Sequence, residues 1–123
     1  MTESLWPGDV VWVELDGGSE THGEQRGRRP ALVVSSPEHL AVTDRLVTVL
    51  PATSRDRGWP NHVRLTGPSL ARATFAMTEQ IRTVDRRRVV AMAGRVTDDC
   101  LREVLDWVGH WLAHPERRDP RRR

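Results

Sequence analysis

Residues 8–15 read GDVVWVEL, and this stretch together with PALVVSS at residues 30–36 decides the fold class. Both are rich in valine and leucine, and the first adds a tryptophan, a composition that favours β-strands. In the first stretch Val11, Val13 and Leu15 fall on one face by the two-residue repeat of a strand. We therefore predict two strands, joined by a polar loop over residues 16–28 that contains four glycines.

Further short strands are predicted downstream by their apolar or alternating composition. These segments are residues 45–50, 62–66, 74–78 and 89–96. Pro37 suits the first position of a helix, so we predict one helical turn after Ser36. Asp85 precedes three arginines and predicts a short capped turn in front of the last strand.

The clearest helix follows Thr97, which is suited to cap it, and places Asp98 and Asp99 in the first turn, where negative charge suits the helix dipole. Apolar residues then recur at helical spacing. The predicted buried face consists of Leu101, Val104, Leu105, Val108 and Leu112, with Cys100, Trp107 and Trp111 on its flank. We expect the helix to end at His114-Pro115. Its wide apolar surface, in a chain that is only 37% hydrophobic, predicts a symmetric homodimer.

Short, mostly antiparallel strands followed by one helix indicate class α+β, either a small SH3-like barrel or a strongly twisted antiparallel sheet. The 123 residues suit one domain, which we place at residues 1–115. Residues 116–123 contain no apolar side chain, and we predict a disordered, arginine-rich tail there. Residues 117–123 carry a net charge of +4 within an overall charge of +2, so the domain itself is slightly acidic. A nucleic-acid site in it must therefore be a local basic patch.

Several classes of protein and site are excluded by composition. A single cysteine cannot form an intramolecular disulfide, and no apolar run approaches the roughly 18 residues of a membrane span. The N-terminus lacks the pattern of a signal peptide, so we expect a cytoplasmic protein. Neither a glycine-rich phosphate loop nor a metal-ligand spacing is present, and we expect no cofactor and no metal. Ser35, Ser36 and Cys100 have no base partner apparent in the sequence.

The segment GEQRGRRP at residues 23–30 places three arginines where a loop enters a strand. From charge alone it reads as an exposed basic loop. However, Arg29 precedes Pro30, which holds its backbone extended. A guanidinium fixed at a strand edge offers planar, bidentate donors to a phosphate, so this segment is also a candidate RNA site.

Four motifs resemble, in order, the MazF/PemK (Kid) family of toxin endoribonucleases. They are GDVVWVEL, GEQRGRRPALVVS, VLPATSR at residues 49–55 and AMTEQIRTVDRRRV at residues 76–89. The resemblance implies a CcdB/PemK-like fold and a homodimeric, sequence-selective nuclease of the mRNA interferase type. Such an enzyme cuts single-stranded RNA without a metal, through attack by the 2′-hydroxyl, and leaves 2′,3′-cyclic phosphate and 5′-hydroxyl ends. A cognate antitoxin protein is the implied inhibitor.

By position, the resemblance assigns catalytic roles to Arg29, Thr53 and Glu79. The residues that it implies for RNA binding are Glu24, Gln25, Arg26, Arg28, Ser54, Gln80 and Arg82. Arg29 is too basic to accept a proton, so we assign it to stabilising the charged transition state. Thr53 is suited to orient the phosphate or relay a proton, and Glu24 and Glu79 are the candidate bases.

The sequence departs from the family at two positions. His22 stands where relatives usually carry glycine, and Met77 stands where some relatives carry a second catalytic arginine.

Two other functions fit the same fold, because fold alone does not define activity. CcdB-type toxins bind DNA gyrase and are not enzymes. The third reading is a small barrel that only binds RNA or an antitoxin and has lost activity. Trp59 is either a platform for stacking a base or an anchor for its loop. Trp107 and Trp111 are interpreted as core or dimer contacts.

Overall fold

A computed structural model describes residues 4–15, 27–116 and 118–122. Within these residues the strands are β1 (Asp9–Glu14), β2 (Arg28–Val33), β3 (Leu46–Thr53), β4 (His62–Arg64), β5 (Phe75–Met77), β6 (Arg82–Asp85) and β7 (Val89–Arg95). The α-helices are α1 (Pro37–Thr43) and α2 (Asp98–Trp111), and a 3-10 turn covers Arg86–Arg88. No helix in the described part of the chain is long and apolar enough to cross a membrane.

The strands form one antiparallel sheet in the order β4-β5-β3-β2-β1-β7, and β6 also pairs with β3. The two ends of this order, β4 and β7, do not pair with each other, so the sheet is open rather than a closed barrel. This confirms class α+β with a twisted antiparallel sheet and a C-terminal helix. Of the two architectures expected from the sequence, the open sheet is the one observed.

Strand β3 holds the sheet together, because it is paired along both of its edges. One edge pairs with β2, with Ala31 opposite Pro51. The other edge pairs first with β6 and then, from Ala52 onward, with β5. Successive residues of a strand face opposite sides, so Val49 and Leu50 enter two different apolar clusters. The core therefore lies on both faces of β3.

Strand β6 was not predicted from the sequence. Its four residues contain one buried apolar side chain, Val84, and no alternating pattern. It forms because β3 offers a free edge, and the hydroxyls of Thr48 and Thr83 lie 2.9 Å apart across the pair. Helix α1 is also longer than the single turn expected. Ser36 caps it by accepting a hydrogen bond from the His39 backbone nitrogen.

Helix α2 begins after its Thr97 cap as expected, but the predicted buried face was wrong at two positions, whereas Val104 is buried and Leu101 and Val108 pack against the core. Cys100 and Val104 are buried, whereas Leu105 and Leu112 are 41% and 56% exposed. The apolar surface of the helix is wider than one face, and two polar contacts accompany the part of it that meets the sheet. The Cys100 thiol donates to the Arg64 carbonyl. At the other end of the helix the indole N–H of Trp111 donates to the Thr78 hydroxyl.

Candidate functional site

A cavity of about 370 Å³ opens at the point where β2 begins and β3 ends. Its lining consists of Trp12, Arg28, Arg29, Pro30, Ala52, Thr53, Ser54, Leu70, Ala71, Arg72 and Thr74. Antiparallel neighbours bring the start of one strand to the end of the next. The β2–β3 pairing ends with Ala31 opposite Pro51, and Arg29 and Thr53 lie just beyond it, where both line the cavity. The sheet thus joins two residues that are 24 positions apart and that the sequence had singled out separately.

The described lining of the cavity carries only positive charge. It is lined by three guanidinium groups, those of Arg28, Arg29 and Arg72, and no carboxylate is found among its described lining residues. Hydroxyls from Thr53, Ser54 and Thr74 add neutral hydrogen-bonding groups. Planar cationic donors beside hydroxyls are suited to bind the oxygens of a phosphate. The basic patch expected in a slightly acidic domain is therefore present.

The Thr53 hydroxyl is oriented by its own chain. It accepts a hydrogen bond of 3.1 Å from the Arg55 backbone nitrogen, two residues further on. A hydroxyl that accepts at its oxygen still has its O–H to donate elsewhere. This arrangement suits a group that contacts a phosphate oxygen.

The segment from Thr66 to Thr74 forms one wall of the cavity and is tightly packed against β7. A Cβ added at Gly67 would lie 2.5 Å from the Arg95 carbonyl oxygen. A Cβ added at Gly94 would lie 2.7 Å from the Cβ of Pro68, so both positions require glycine. The wall is therefore held in place by backbone contacts that side chains larger than hydrogen would break.

Three lining residues, Trp12, Arg72 and Thr74, were missed in the sequence. Trp12 is paired with Pro30 across β1 and β2, and it had been interpreted only as a strand residue. The sequence around Arg72, SLARA, has no motif or periodicity that marks it as part of a site. Only the return of the chain from β4 to β5 brings this arginine to the cavity.

Glu79 lies in a different cluster. Asn61 donates to one of its carboxylate oxygens at 2.8 Å, and the Nε2 of His62 donates to the other at 3.1 Å. Thr74, in the cavity, precedes β5, whereas Glu79 follows it, so the two lie at opposite ends of this strand. Within one chain the structure therefore does not bring Glu79 to Arg29.

The remaining candidate residues are also placed outside the cavity or cannot be placed. Gln80 donates weakly to Glu79, at 3.4 Å, and Arg82 begins β6 opposite Val49. Met77 is buried and does not line the cavity. His22, Glu24, Gln25 and Arg26 lie outside the described residues.

Trp59 anchors its loop and leaves part of its ring exposed. Its ring lies 4.8 Å from that of His62, centroid to centroid, which anchors the loop between β3 and β4. At the same time 49% of the side chain is exposed, and the Arg57 guanidinium lies 5.2 Å from the ring centre.

Ser35 has a base partner after all, which corrects the expectation from sequence. Its hydroxyl lies 2.7 Å from Nδ1 of His39, one helical turn further on. The same oxygen accepts from the Thr48 backbone nitrogen at 2.7 Å. Because Ser35 is only 3% exposed, this pair fastens α1 to β3 and is closed to a substrate.

Within the described ranges, no group of three or more His, Cys, Asp or Glu side chains is placed to hold a metal ion.

Comparison with known proteins relates this chain to one toxin family. The family model described as PemK-like, MazF-like toxin of type II toxin-antitoxin system matches residues 7–112. The endoribonuclease toxin MazF of Escherichia coli strain K12 is 35% identical over 78 residues, which are 63% of this chain and 65% of that relative. The chain thus spans just under two thirds of that relative's length.

Solved structures agree with the observed fold. The crystal structure of MazF from Deinococcus radiodurans superposes with a TM-score of 0.66 at 31% identity, covering 86% of this chain and 94% of that one. A mycobacterial endoribonuclease in complex with its cognate antitoxin superposes with a TM-score of 0.71 at 21% identity, covering 91% and 100%. At 21% identity, the likeness to the mycobacterial protein supports the fold alone.

The cluster around Glu79 predicts a pH-dependent contribution to stability. Partial burial raises the pKa of the Glu79 carboxyl, but hydrogen bonds from His62, the backbone and Gln80, together with attraction to His62, outweigh it and hold the pKa below its usual value of 4.5. A carboxylate with a lowered pKa stabilises the fold above the pKa of the unfolded chain. That stabilisation is lost as the pH falls through the folded value.

We therefore expect Glu79→Gln to lower the free energy of unfolding at pH 7 by at most about 1 kcal/mol, since the group is partly exposed. The difference from the parent protein should shrink as the pH falls below 4.5. Urea denaturation across this range measures it, with Glu103→Gln on the exposed side of α2 as the matched control. A difference that stays constant down to pH 3 would contradict the assigned cluster.

Proposed function

We propose that this chain, which belongs to the PemK-like, MazF-like toxin family of type II toxin–antitoxin systems, is an endoribonuclease that cuts single-stranded RNA. The observation that carries the proposal is the cavity in which Arg28, Arg29 and Arg72 meet Thr53. It joins the two motifs on which the resemblance rests most directly, the arginine-proline junction and the end of β3. Its charge is of the sign that a polyanion requires, although the domain as a whole is slightly acidic.

The proposed reaction uses the RNA's own 2′-hydroxyl as the nucleophile. Its oxygen bonds to the neighbouring phosphorus, the bond from phosphorus to the 5′-oxygen breaks, and a 2′,3′-cyclic phosphate forms. The 2′-hydroxyl gives up its proton to a base, and the departing 5′-oxygen takes up a proton to become a hydroxyl. Extra negative charge develops on the phosphate oxygens in between, and stabilising it is the main task of the protein.

Arg29 is suited to that task, because its fixed positive charge and paired donors match two phosphate oxygens. Thr53, with its oxygen oriented by the Arg55 backbone, positions the phosphate for in-line attack. Of the two candidate bases, Glu79 is engaged by Asn61 and His62 away from the cavity. This engagement favours Glu24, five residues before Arg29, as the group that takes the proton.

The roles of Arg29 and Thr53 predict a graded series of rates. Arg29→Ala should lower the single-turnover cleavage rate roughly 10²- to 10³-fold, the usual cost of removing one stabiliser of transition-state charge. Arg29→Lys should recover part of this, since an ammonium keeps the charge but loses the planar fork. Thr53→Ser should be milder than Thr53→Val, because the hydroxyl is the functional group.

Arg45→Ala is the matched control for that series. It removes an equal charge at the far end of β3, where Arg45 is paired with Asp85 on the surface. Circular dichroism confirms folding of each variant. Equal losses in Arg29→Ala and Arg45→Ala, or full activity of Thr53→Val, would contradict the roles. A wild-type protein that leaves RNA intact would instead favour a toxin that binds a protein such as DNA gyrase.

Metal independence follows from the same chemistry, because guanidinium groups supply the positive charge that a metal ion supplies in other nucleases. We expect cleavage to persist in excess EDTA and to leave 2′,3′-cyclic phosphate ends. End mapping of a defined RNA pool measures both points and also reveals the sequence preference. Activity that is lost on chelation and restored by a divalent ion would overturn this mechanism.

The proposal extends to two protein partners. The first is a cognate antitoxin, as in the solved mycobacterial complex, and an acidic segment would complement the cavity.

The second is another copy of this chain. Beside the buried face of α2 runs a second apolar stripe, Leu101, Leu105, Val108 and Leu112, which stays partly exposed. A stripe of this kind is suited to self-association, and a monomer by light scattering at micromolar concentration would contradict it.

A further inference from the structure

A second cavity, of about 270 Å³, adjoins the first along the wall between β4 and β5. It is lined by Arg64, Leu65, Pro68, Leu70, Ala71, Arg72, Ala73 and Thr74. The two cavities share Leu70, Ala71, Arg72 and Thr74, so Arg72 borders both. No carboxylate occurs among the described residues of either lining. The positive charge therefore continues from Arg28 and Arg29, across Arg72, to Arg64.

The side chains of Arg64 and Arg72 differ in their partners from four other exposed arginines of the domain. Arg45, Arg87, Arg95 and Arg102 are each ion-paired with an aspartate. Within residues 4–15, 27–116 and 118–122, neither Arg64 nor Arg72 is in an ion pair, and both are exposed. An incoming phosphate would thus not have to displace a carboxylate of this part of the chain.

The backbones that carry these two side chains are fixed. The Arg72 carbonyl accepts a hydrogen bond of 2.9 Å from the buried Thr74 hydroxyl, and the Leu65 nitrogen donates to the Thr74 carbonyl at 2.9 Å. The Arg64 carbonyl accepts from the Cys100 thiol of α2. Arg64 is also held in register opposite Phe75. Fixed anchor points lower the entropic cost of binding a chain across both arginines.

We propose that Arg64 and Arg72 form a second phosphate-binding site, which holds the RNA strand next to the nucleotide that is cut. This inference rests on the proposed function for the identity of the strand in the first cavity. The strand leaves that cavity over Arg72, and Arg64 contacts the backbone beyond it. The contacts are to phosphates and carry no sequence information, so they add affinity and direct the strand.

The test measures RNA binding separately from cleavage. The probe is a fluorescein-labelled random pool of 2′-O-methyl RNA 12-mers, which lack the attacking hydroxyl and cannot be cut. Each phosphate contact on a single strand contributes about 0.7 to the slope of log K against log salt concentration. Arg64→Ala and Arg72→Ala should each reduce that slope by about 0.7 and weaken binding about two- to fivefold, as expected for an exposed ion pair.

Three further measurements distinguish phosphate contacts at these two arginines from a general effect of charge. Arg64→Lys and Arg72→Lys preserve the charge and should keep the parent slope. Arg102→Ala removes an exposed charge on α2, outside both cavities, and should leave the slope unchanged. In cleavage assays Arg64→Ala should raise KM with little change in kcat, because it removes binding that is equal in the ground and transition states.

The inference is overturned if Arg64→Ala and Arg72→Ala leave the salt slope unchanged, as the control Arg102→Ala should. If in addition Arg29→Ala still lowers the cleavage rate roughly 10²- to 10³-fold, the proposed function stands without it. If the slopes fall as expected but the parent protein never cuts RNA, the second site stands and the nuclease assignment fails. The two proposals can therefore fail independently.

Discussion

The pairing of β3 along both edges is the constraint on which the rest of the structure depends. Eight residues of one strand fix β2 on one side and β6 and β5 on the other. The β2–β3 pairing brings the start of β2, with Arg29, to the end of β3, with Thr53, and the β3–β5 pairing brings in the wall that carries Arg72. A slip of one residue would turn every side chain of β3 to the opposite face. The valines and leucines of that strand prevent it, because each face belongs to its own apolar cluster.

Much of this fold is predictable from the sequence, because apolar side chains at strand spacing report burial directly. Strands β1, β2, β3 and β7 and the cap of α2 follow from such patterns. The failures share a physical reason. Strand β6 buries a single side chain and exists because a partner edge is free, which no local pattern records. Helix α2 is apolar over more than one face, so the spacing of its apolar residues does not say which part meets the sheet.

The same distinction applies to the candidate site: some of its residues belong to recognisable motifs, and others are placed only by the fold. Arg29 and Thr53 belong to short motifs and were recognisable in the chain, whereas Arg72 belongs to a segment without periodicity. Its place depends on the path from β4 to β5 and on Gly67 and Gly94, which permit the close approach to β7. Glu79 is the opposite case, because it belongs to a motif but lies outside the cavity. Its motif is recognisable, yet the antiparallel geometry of β5 carries it to the opposite end of the strand from the cavity.

The glycine contacts also determine where this protein can diversify. Gly67 is packed against β7 at one end of the wall, and Thr74 is buried at the other. Four residues between these two fixed positions are exposed: Ser69, Ala71, Arg72 and Ala73. Substitutions there change the surface offered to a nucleic acid and leave both apolar clusters intact. These four positions can therefore change, by selection or in a mutant library, without disturbing the core, whereas Leu70 between them packs against an apolar cluster and cannot vary as freely.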